Sequence, residues 1–197
     1  MKKSVEYAVK LFVICAIATL VLAFTNNATA PVIEEAQKQK ELKAFAEVFP
    51  GLEETKPVAD KSVLNDNIVS VNEAIVGGKT EGYLYSVNSP VGYDGPISFV
   101  VGAKTDGTVT GLKIINQTET TGFGASVAKP EYAAGMQGVT LNQALKMEGA
   151  GGKPDVMPAI SGATRTSTAM LKAMNMVVEA QAKLTGGAGQ SNASETK

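Results

Sequence analysis

The run from Leu11 to Phe24 constrains this chain more than any other segment, because only Thr19 interrupts its apolar character. Backbone polar groups in such a run must be satisfied within the segment, which dictates a helix. Extended through Tyr7 to Thr29, the run reaches about 23 residues, or roughly 34 Å of helix, enough to cross a bilayer core. Lys10 near its start can reach the interface, and Tyr7 suits the headgroup level.

The charges around the run set its direction. Lys2, Lys3 and Lys10 precede or open it, whereas the flank after it, residues 26–37, carries only Glu34 and Glu35 among charged residues up to Gln37. The positive-inside rule then places the N-terminus in the cytoplasm and the rest outside, single-pass in the cell (inner) membrane. Ala28-Thr29-Ala30 also resembles a signal-peptide cleavage site, but Pro31 would occupy the first mature position and makes a poor substrate there. The uncleaved anchor is the preferred reading.

Composition removes whole classes of chemistry. The chain has no His and a single Cys, Cys15, inside the apolar run. Nucleophilic triads built on His, imidazole metal sites and iron–sulfur clusters are therefore excluded. Redox chemistry, if present, must be carried by an organic cofactor. Net charge is −1, and no basic cluster lies outside the N-terminus, so a nucleic-acid partner is not expected.

Beyond the anchor (residues 1–30), residues 31–50 read as a juxtamembrane helix with Pro31 at a helix-start position, expected to continue the anchor and closed by Pro50-Gly51. Residues 51–185 form one domain, and residues 186–197, rich in Gly, Ser and Asn, form a disordered tail. Within the domain, residues 68–71, 82–87, 97–102 and 109–115 have strand character. Gly77-Gly78 and Asp106-Gly107 punctuate them, the second as a hairpin signal. A short helix is expected over Leu141–Met147 and a long one over Arg165–Leu184. The fold class is α+β, a mostly antiparallel sheet with flanking helices.

Ser161-Gly162-Ala163-Thr164 stands just ahead of the long final helix. A small, Gly-containing turn at a helix start offers unpaired backbone N–H groups to an anion, and Thr164 adds a hydroxyl there. Alone, the same four residues also describe a plain helix start with Ser161 as N-cap.

Two further segments line up with this turn: Gly92-Tyr93-Asp94-Gly95-Pro96-Ile97, leading into a strand, and Glu119-Thr120-Thr121-Gly122-Phe123-Gly124, leaving one. With the single anchor, this ordered trio resembles the FMN-binding subunits of the Rnf and sodium-pumping NADH:quinone reductase complexes, the Rnf G subunit most of all. The resemblance runs from the anchor to the final helix. It implies an extracytoplasmic FMN-binding domain with one FMN joined through its phosphate to Thr164 by a separate flavin transferase. Ser161, Gly162 and Ala163 would shape the turn. The second loop, Glu119, Thr120, Thr121, Gly122, Phe123 and Gly124, would lie beside the flavin.

Several residues keep two readings. Thr121 offers a hydroxyl, and Phe123 is an apolar wall or an ordinary core residue, the commoner fate of a lone aromatic. Glu119 orders the loop or is simply solvated; Arg165 steadies the phosphate or faces solvent, the latter slightly preferred. Met170, Met174 and Met176 are expected to pack the helix onto the sheet. The motif departs from the family in one place: Pro158 stands where an Asp is usual, and the nearest acid is Asp155.

The resemblance implies an electron-transfer subunit, without catalytic residues of its own, of a membrane complex. That complex oxidises ferredoxin with NAD+ and exports Na+ or H+, and its other membrane and peripheral subunits would be this chain's partners. Two alternatives accompany it: the C subunit of a Na+-translocating NADH:quinone reductase, and a membrane-tethered binding or sensory module without cofactor. A serine hydrolase built on Ser126 fails for want of a base.

Overall fold

The computed structural model describes residues 2–149 and 153–186; the disordered-tail expectation falls almost wholly outside them. The chain divides into two compact units, Met1–Lys40 and Glu41–Lys197.

Helix α1 spans Lys2–Val48. Its stretch from Glu6 has a mean hydropathy of 2.4 over the most apolar window, long and apolar enough to cross a membrane as a single-pass anchor. The hydroxyls in this stretch are satisfied locally: Thr19, Thr25 and Thr29 donate to the carbonyls of Cys15, Val21 and Thr25 at 2.8–2.9 Å. That back-bonding is what lets Thr sit in an apolar run. Lys10 pairs with Glu6 at 2.6 Å.

The juxtamembrane helix continues the anchor, as expected above, and Pro31 at its start lies inside the unbroken α1. A proline removes one backbone donor, but Ala28 and Ala30 before it and Glu34, Glu35 and Ala36 after it all favour helix.

The second unit is built on a five-stranded antiparallel sheet in the order β1-β2-β3-β4-β5. The strands are β1 (Glu54–Pro57), β2 (Ile68–Val76), β3 (Lys79–Asn88), β4 (Ser98–Lys104) and β5 (Val109–Asn116). Gly77 and Gly78, at φ 58° and 74°, make the two-residue turn between β2 and β3; positive φ at both positions matches the strand twist. At the β4–β5 turn, Asp106 Oδ1 accepts the Thr108 N–H at 2.8 Å, in keeping with the hairpin signal. The edge strand β1 was not anticipated. Only four residues long and ending in Pro57, it carries no apolar alternation, and Pro is tolerated because an edge strand needs fewer donors.

Helices follow the sheet: α2 (Pro130–Met136) and α3 (Thr164–Thr185), with a short parallel pair β6 (Lys146–Met147) and β7 (Val156–Met157) between them. Helix α2 was not foreseen, although Pro130 in its first turn and Glu131 beside it are start signals. The helix expected over Leu141–Met147 does not form. Leu141 and Leu145 are buried at helical spacing, but the backbone donors there are taken elsewhere. Leu141 donates to Gly107 at 2.8 Å, Leu145 to Asn175 Oδ1 at 2.7 Å and Lys146 to Asp155 at 2.8 Å. Tertiary partners override local propensity here.

Helix α3 covers one face of the sheet. Ala169, Met170, Ala173, Met174 and Val177 form its buried stripe against Tyr85, Val87, Phe99 and Val101. Met170 and Met174 are packing residues, each contributing about 1.5–3 kcal/mol by burial; Met176 is only partly buried against the same core. The other face carries the last turns of α1, where Ala44, Phe45, Val48 and Phe49 bury Ala74, Leu84 and Val100. Thr110 caps this helix end by donating to the Val48 carbonyl at 2.6 Å.

Candidate functional site

The three sequence segments converge at the start of α3. Gly162 holds φ +76°, a left-handed conformation that turns the chain into the helix. Ala163, not Ser161, is the N-cap residue, and it caps with no side chain; the plain helix start with a Ser cap is not what the chain builds. The first intrahelical-type bond runs from Ser167 N–H to the Ala163 carbonyl at 3.0 Å. The N–H groups of Thr164, Arg165 and Thr166 have no acceptor among the described residues. Three unpaired donors at the positive end of a 22-residue helix are suited to an anion.

Against this turn lies a cavity of about 450 Å³. Helix α3 and its turn supply Gly162, Ala163, Thr164, Arg165 and Thr166; the loop after β5 supplies Glu119, Thr120, Phe123 and Gly124; Tyr93 completes the wall. Ser161, Thr121 and Gly122 belong to the same segments but stay outside the wall, all three exposed.

The hydroxyls around the turn differ in their engagements. Thr166 is buried and donates to Glu119 Oε2 at 2.5 Å. Ser167 is buried and accepts the Ile160 N–H at 3.0 Å. Thr164 is exposed, and its hydroxyl has no partner among the described residues.

Glu119 is ordered, not solvated. It is 5% exposed, and its Oε1 accepts the N–H groups of Tyr93 and Asp94 at 2.9 and 3.2 Å. Its neighbours make room for it. A Cβ on Gly92 would sit 2.5 Å from Oε1, and one on Gly124 would sit 2.4 Å from Oε2. Gly95 tightens the same loop by accepting the Gly92 N–H at 2.9 Å.

Phe123 is no core residue: it is 55% exposed and faces the Gly162 turn, where a Cβ would be 3.3 Å from its ring. Tyr93 is 65% exposed. The Arg165 guanidinium lies 5.9 Å from the Tyr93 ring centroid, within cation–π range, so Arg165 belongs to the cavity and not to the open solvent face. Of the two readings of Arg165, the solvent-facing one is preferred from sequence and the cavity holds it instead; Tyr93 and Thr166 carry no site role in the sequence reading. Tyr93 was legible as the aromatic inside the Gly92–Gly95 loop; Thr166 had no signal beyond lying two residues after Thr164.

Asp155 is not brought to the cavity. Its carboxylate lies 3.7 Å from Lys146 Nζ, and its carbonyl is taken by the β6 backbone. Pro158 is buried. Among the described residues, no group of His, Cys, Asp or Glu side chains is placed to hold a metal ion.

The residues present fit a flavin mononucleotide. Unpaired helix N–H groups and a free hydroxyl suit the phosphate, and exposed aromatic faces at a cavity of this size suit the ring.

Comparison with known proteins agrees with this geometry. The FMN-binding domain family matches residues 92–179, and the RnfG N-terminal region matches residues 1–48. The G subunit of the Na+-translocating ferredoxin:NAD+ oxidoreductase complex of Acetobacterium woodii is 30% identical over 184 residues, covering 86% of this chain and 87% of its own. The G subunit of the ion-translocating oxidoreductase complex of Methanosarcina acetivorans is 30% identical over 183 residues, covering 90% and 94%. Two solved structures share the fold. The C subunit of the Na+-translocating NADH-quinone reductase from Parabacteroides distasonis has a TM-score of 0.54 at 18% identity, covering 79% of this chain and 96% of its own. Shewanella oneidensis NqrC has a TM-score of 0.51 at 21% identity, covering 70% and 68%. By sequence along nearly its whole length, the chain belongs to the family of G subunits of Rnf-type ion-translocating oxidoreductase complexes.

Proposed function

We propose that this chain is the electron-transfer flavoprotein subunit of a membrane-bound Rnf-type ferredoxin:NAD+ oxidoreductase, with one FMN esterified to Thr164. The observation that carries the attachment is the contrast among hydroxyls at one turn. Thr166 and Ser167 are buried and engaged, whereas Thr164 is exposed at the cavity with its oxygen uncommitted. Of the α3 residues that line the cavity, Thr164 offers a flavin transferase working from outside the one uncommitted hydroxyl.

The Thr164 oxygen takes the FMN phosphoryl group from an FMN-containing dinucleotide. The donor's pyrophosphate bond breaks, a nucleoside monophosphate leaves, and the hydroxyl proton passes to solvent. The resulting phosphodiester retains one negative charge. The unpaired N–H groups of Thr164, Arg165 and Thr166 receive that charge, and the helix dipole adds to them. Gly162 keeps the turn open for close approach, and Tyr93 and Phe123 offer aromatic walls to the ring. FMN, when bound, supplies one- and two-electron transfer. The chain's residues hold, orient and electrostatically bias it; none has to act as acid or base.

Residues 1–30 anchor the chain with the N-terminus in the cytoplasm, residues 31–50 lead from the membrane, and residues 51–185 carry the flavin on the outer side, with residues 186–197 as a tail. The other membrane and peripheral subunits of the complex are its partners, and the complex couples electron flow to export of Na+ or H+. A covalent link suits a flavin held where no cytoplasmic FMN pool can replace it. Recognition by the transferase then relies on the turn itself, since Pro158 replaces the usual acid and Asp155 points to Lys146.

The test is the intact mass of the full chain co-expressed with a flavin transferase. An FMN-sized adduct on the wild type that is lost in Thr164→Val supports the reading. An unmodified wild type under those conditions sinks it in favour of a membrane-tethered binding module.

A further inference from the structure

Three loops distant in sequence form the cavity, and one side chain touches all of their backbones or first turns. Glu119 reaches the Gly92–Gly95 loop through the Tyr93 and Asp94 N–H groups, and reaches α3 through the Thr166 hydroxyl. Those partners lie 26, 25 and 47 residues away along the chain. Its own loop is pinned as well, since the Glu119 N–H donates to Gln117 Oε1 at 2.6 Å.

Every contact of the carboxylate is an accepted hydrogen bond, and no cation pairs with it among the described residues. The carboxylate is held by neutral donors in the wall of the cavity, where solvent screens it weakly. Gly92 and Gly124 are the two places where any side chain would collide with its oxygens. Sequence and fold have both been cleared around this one group.

We propose that Glu119 is the positioning residue of the cavity: it ties the Tyr93 loop to the first turn of α3, and its fixed negative charge biases the flavin toward a lower reduction potential. This rests on the reading of the cavity as the FMN site. By engaging the Thr166 hydroxyl it withdraws a competitor from Thr164 and leaves the helix N–H groups open. By holding Tyr93 it keeps the aromatic face, with Arg165 against it, at the cavity. A negative charge fixed near a redox centre disfavours adding an electron to it.

Two variants of the full chain, co-expressed with a flavin transferase, separate the parts. Glu119→Gln keeps an acceptor for the Tyr93 and Asp94 N–H groups and an amide that can donate to the Thr166 oxygen, while losing the charge. It should carry FMN at the wild-type level with the reduction potential shifted positive. Glu119→Ala loses the tie, so the adduct should fall several-fold and chymotrypsin should cut after Tyr93 faster than in the wild type. A Gln variant at the wild-type potential overturns the electrostatic role. An Ala variant with wild-type adduct and wild-type protection at Tyr93 overturns the positioning role. If the Ala variant does not fold, the Gln potential still decides. A wild type without FMN rejects the site itself, and the proteolysis comparison then still tells whether Glu119 holds the loop.

Discussion

Gly111 of β5 lies beneath Val48 at the end of α1 with no space for a side chain between them: a Cβ there would sit 2.9 Å from Val48 Cα and 2.9 Å from its carbonyl oxygen. Gly82 and Gly102 repeat the relationship on the neighbouring strands, where a Cβ would come within 2.7 Å of the Phe49 ring and 3.0 Å of the Val48 carbonyl. The sheet thus presents a glycine-lined bed to the helix end. Gly111→Ala should push the helix end off its bed and cost about 1–3 kcal/mol. Urea unfolding of the detergent-solubilised chain measures it; an unchanged midpoint would mean that the helix end shifts freely.

Gly162 combines a left-handed φ of +76° with a close aromatic neighbour. Gly162→Ala should cost roughly 1 kcal/mol from the backbone alone. It should also lower FMN attachment, because the turn that presents Thr164 is displaced, whereas Ser161→Ala outside the cavity wall should leave attachment intact. Comparing adduct fractions by intact mass checks both; equal fractions in Gly162→Ala and wild type would detach the turn geometry from modification.

Phe123 is large, apolar and exposed. Its truncation to Ala should change stability by no more than about 0.5 kcal/mol. The attached flavin should become more fluorescent as an aromatic neighbour is removed from the ring. An unstable variant with unaltered flavin emission would return Phe123 to the role of a structural residue.

Tyr85 is fully buried under α3, and its hydroxyl donates to Gln181 Oε1 at 2.5 Å while Gln181 Nε2 donates to the Lys104 carbonyl at 3.0 Å. Gln181→Leu strands both partners and should cost about 1–3 kcal/mol. Adding Tyr85→Phe to it should cost less than the sum of the two single changes, because they break one shared bond. Strict additivity in chemical denaturation would argue against the pairing.

The same burial sets an alkaline limit. Desolvation raises the phenol of Tyr85, with the neighbouring Tyr83 adding to it, and desolvation likewise raises Tyr132 and, with Glu73 adding, Tyr83. A phenol whose folded-state pKa exceeds its unfolded value of 10.0 contributes stability that is complete below that pH and is lost as pH rises above it. The unfolding midpoint should therefore be flat up to about pH 9 and fall beyond about pH 10. Tyr85→Phe should flatten part of that fall; a wild-type midpoint unmoved at high pH would contradict the burial.

The anchor was legible because an apolar run has one structural answer in a membrane, a helix. The hairpins were legible because Gly77-Gly78 and Asp106-Gly107 specify turns by their own dihedral preferences. Where sequence reading went astray, the backbone bonds were long-range. Leu141 and Leu145 repeat at helical spacing, yet their donors belong to Gly107 and Asn175.

For the candidate site, the reactive inventory followed from the residue types alone. Without His and with one Cys inside the apolar run, no residue here could carry redox chemistry, and Thr164 lay at a helix start whose N–H groups had to be unpaired. Which side chains meet was settled in the folded chain. Glu119, readable as an ordinary solvated acid, is buried because Gly92 and Gly124 leave it space and Thr166 turns toward it. Phe123, readable as core, is exposed, and Arg165, readable as a solvent charge, lies over Tyr93. Periodicity and propensity act over a few residues, whereas burial and electrostatic pairing depend on which distant segments share one cavity.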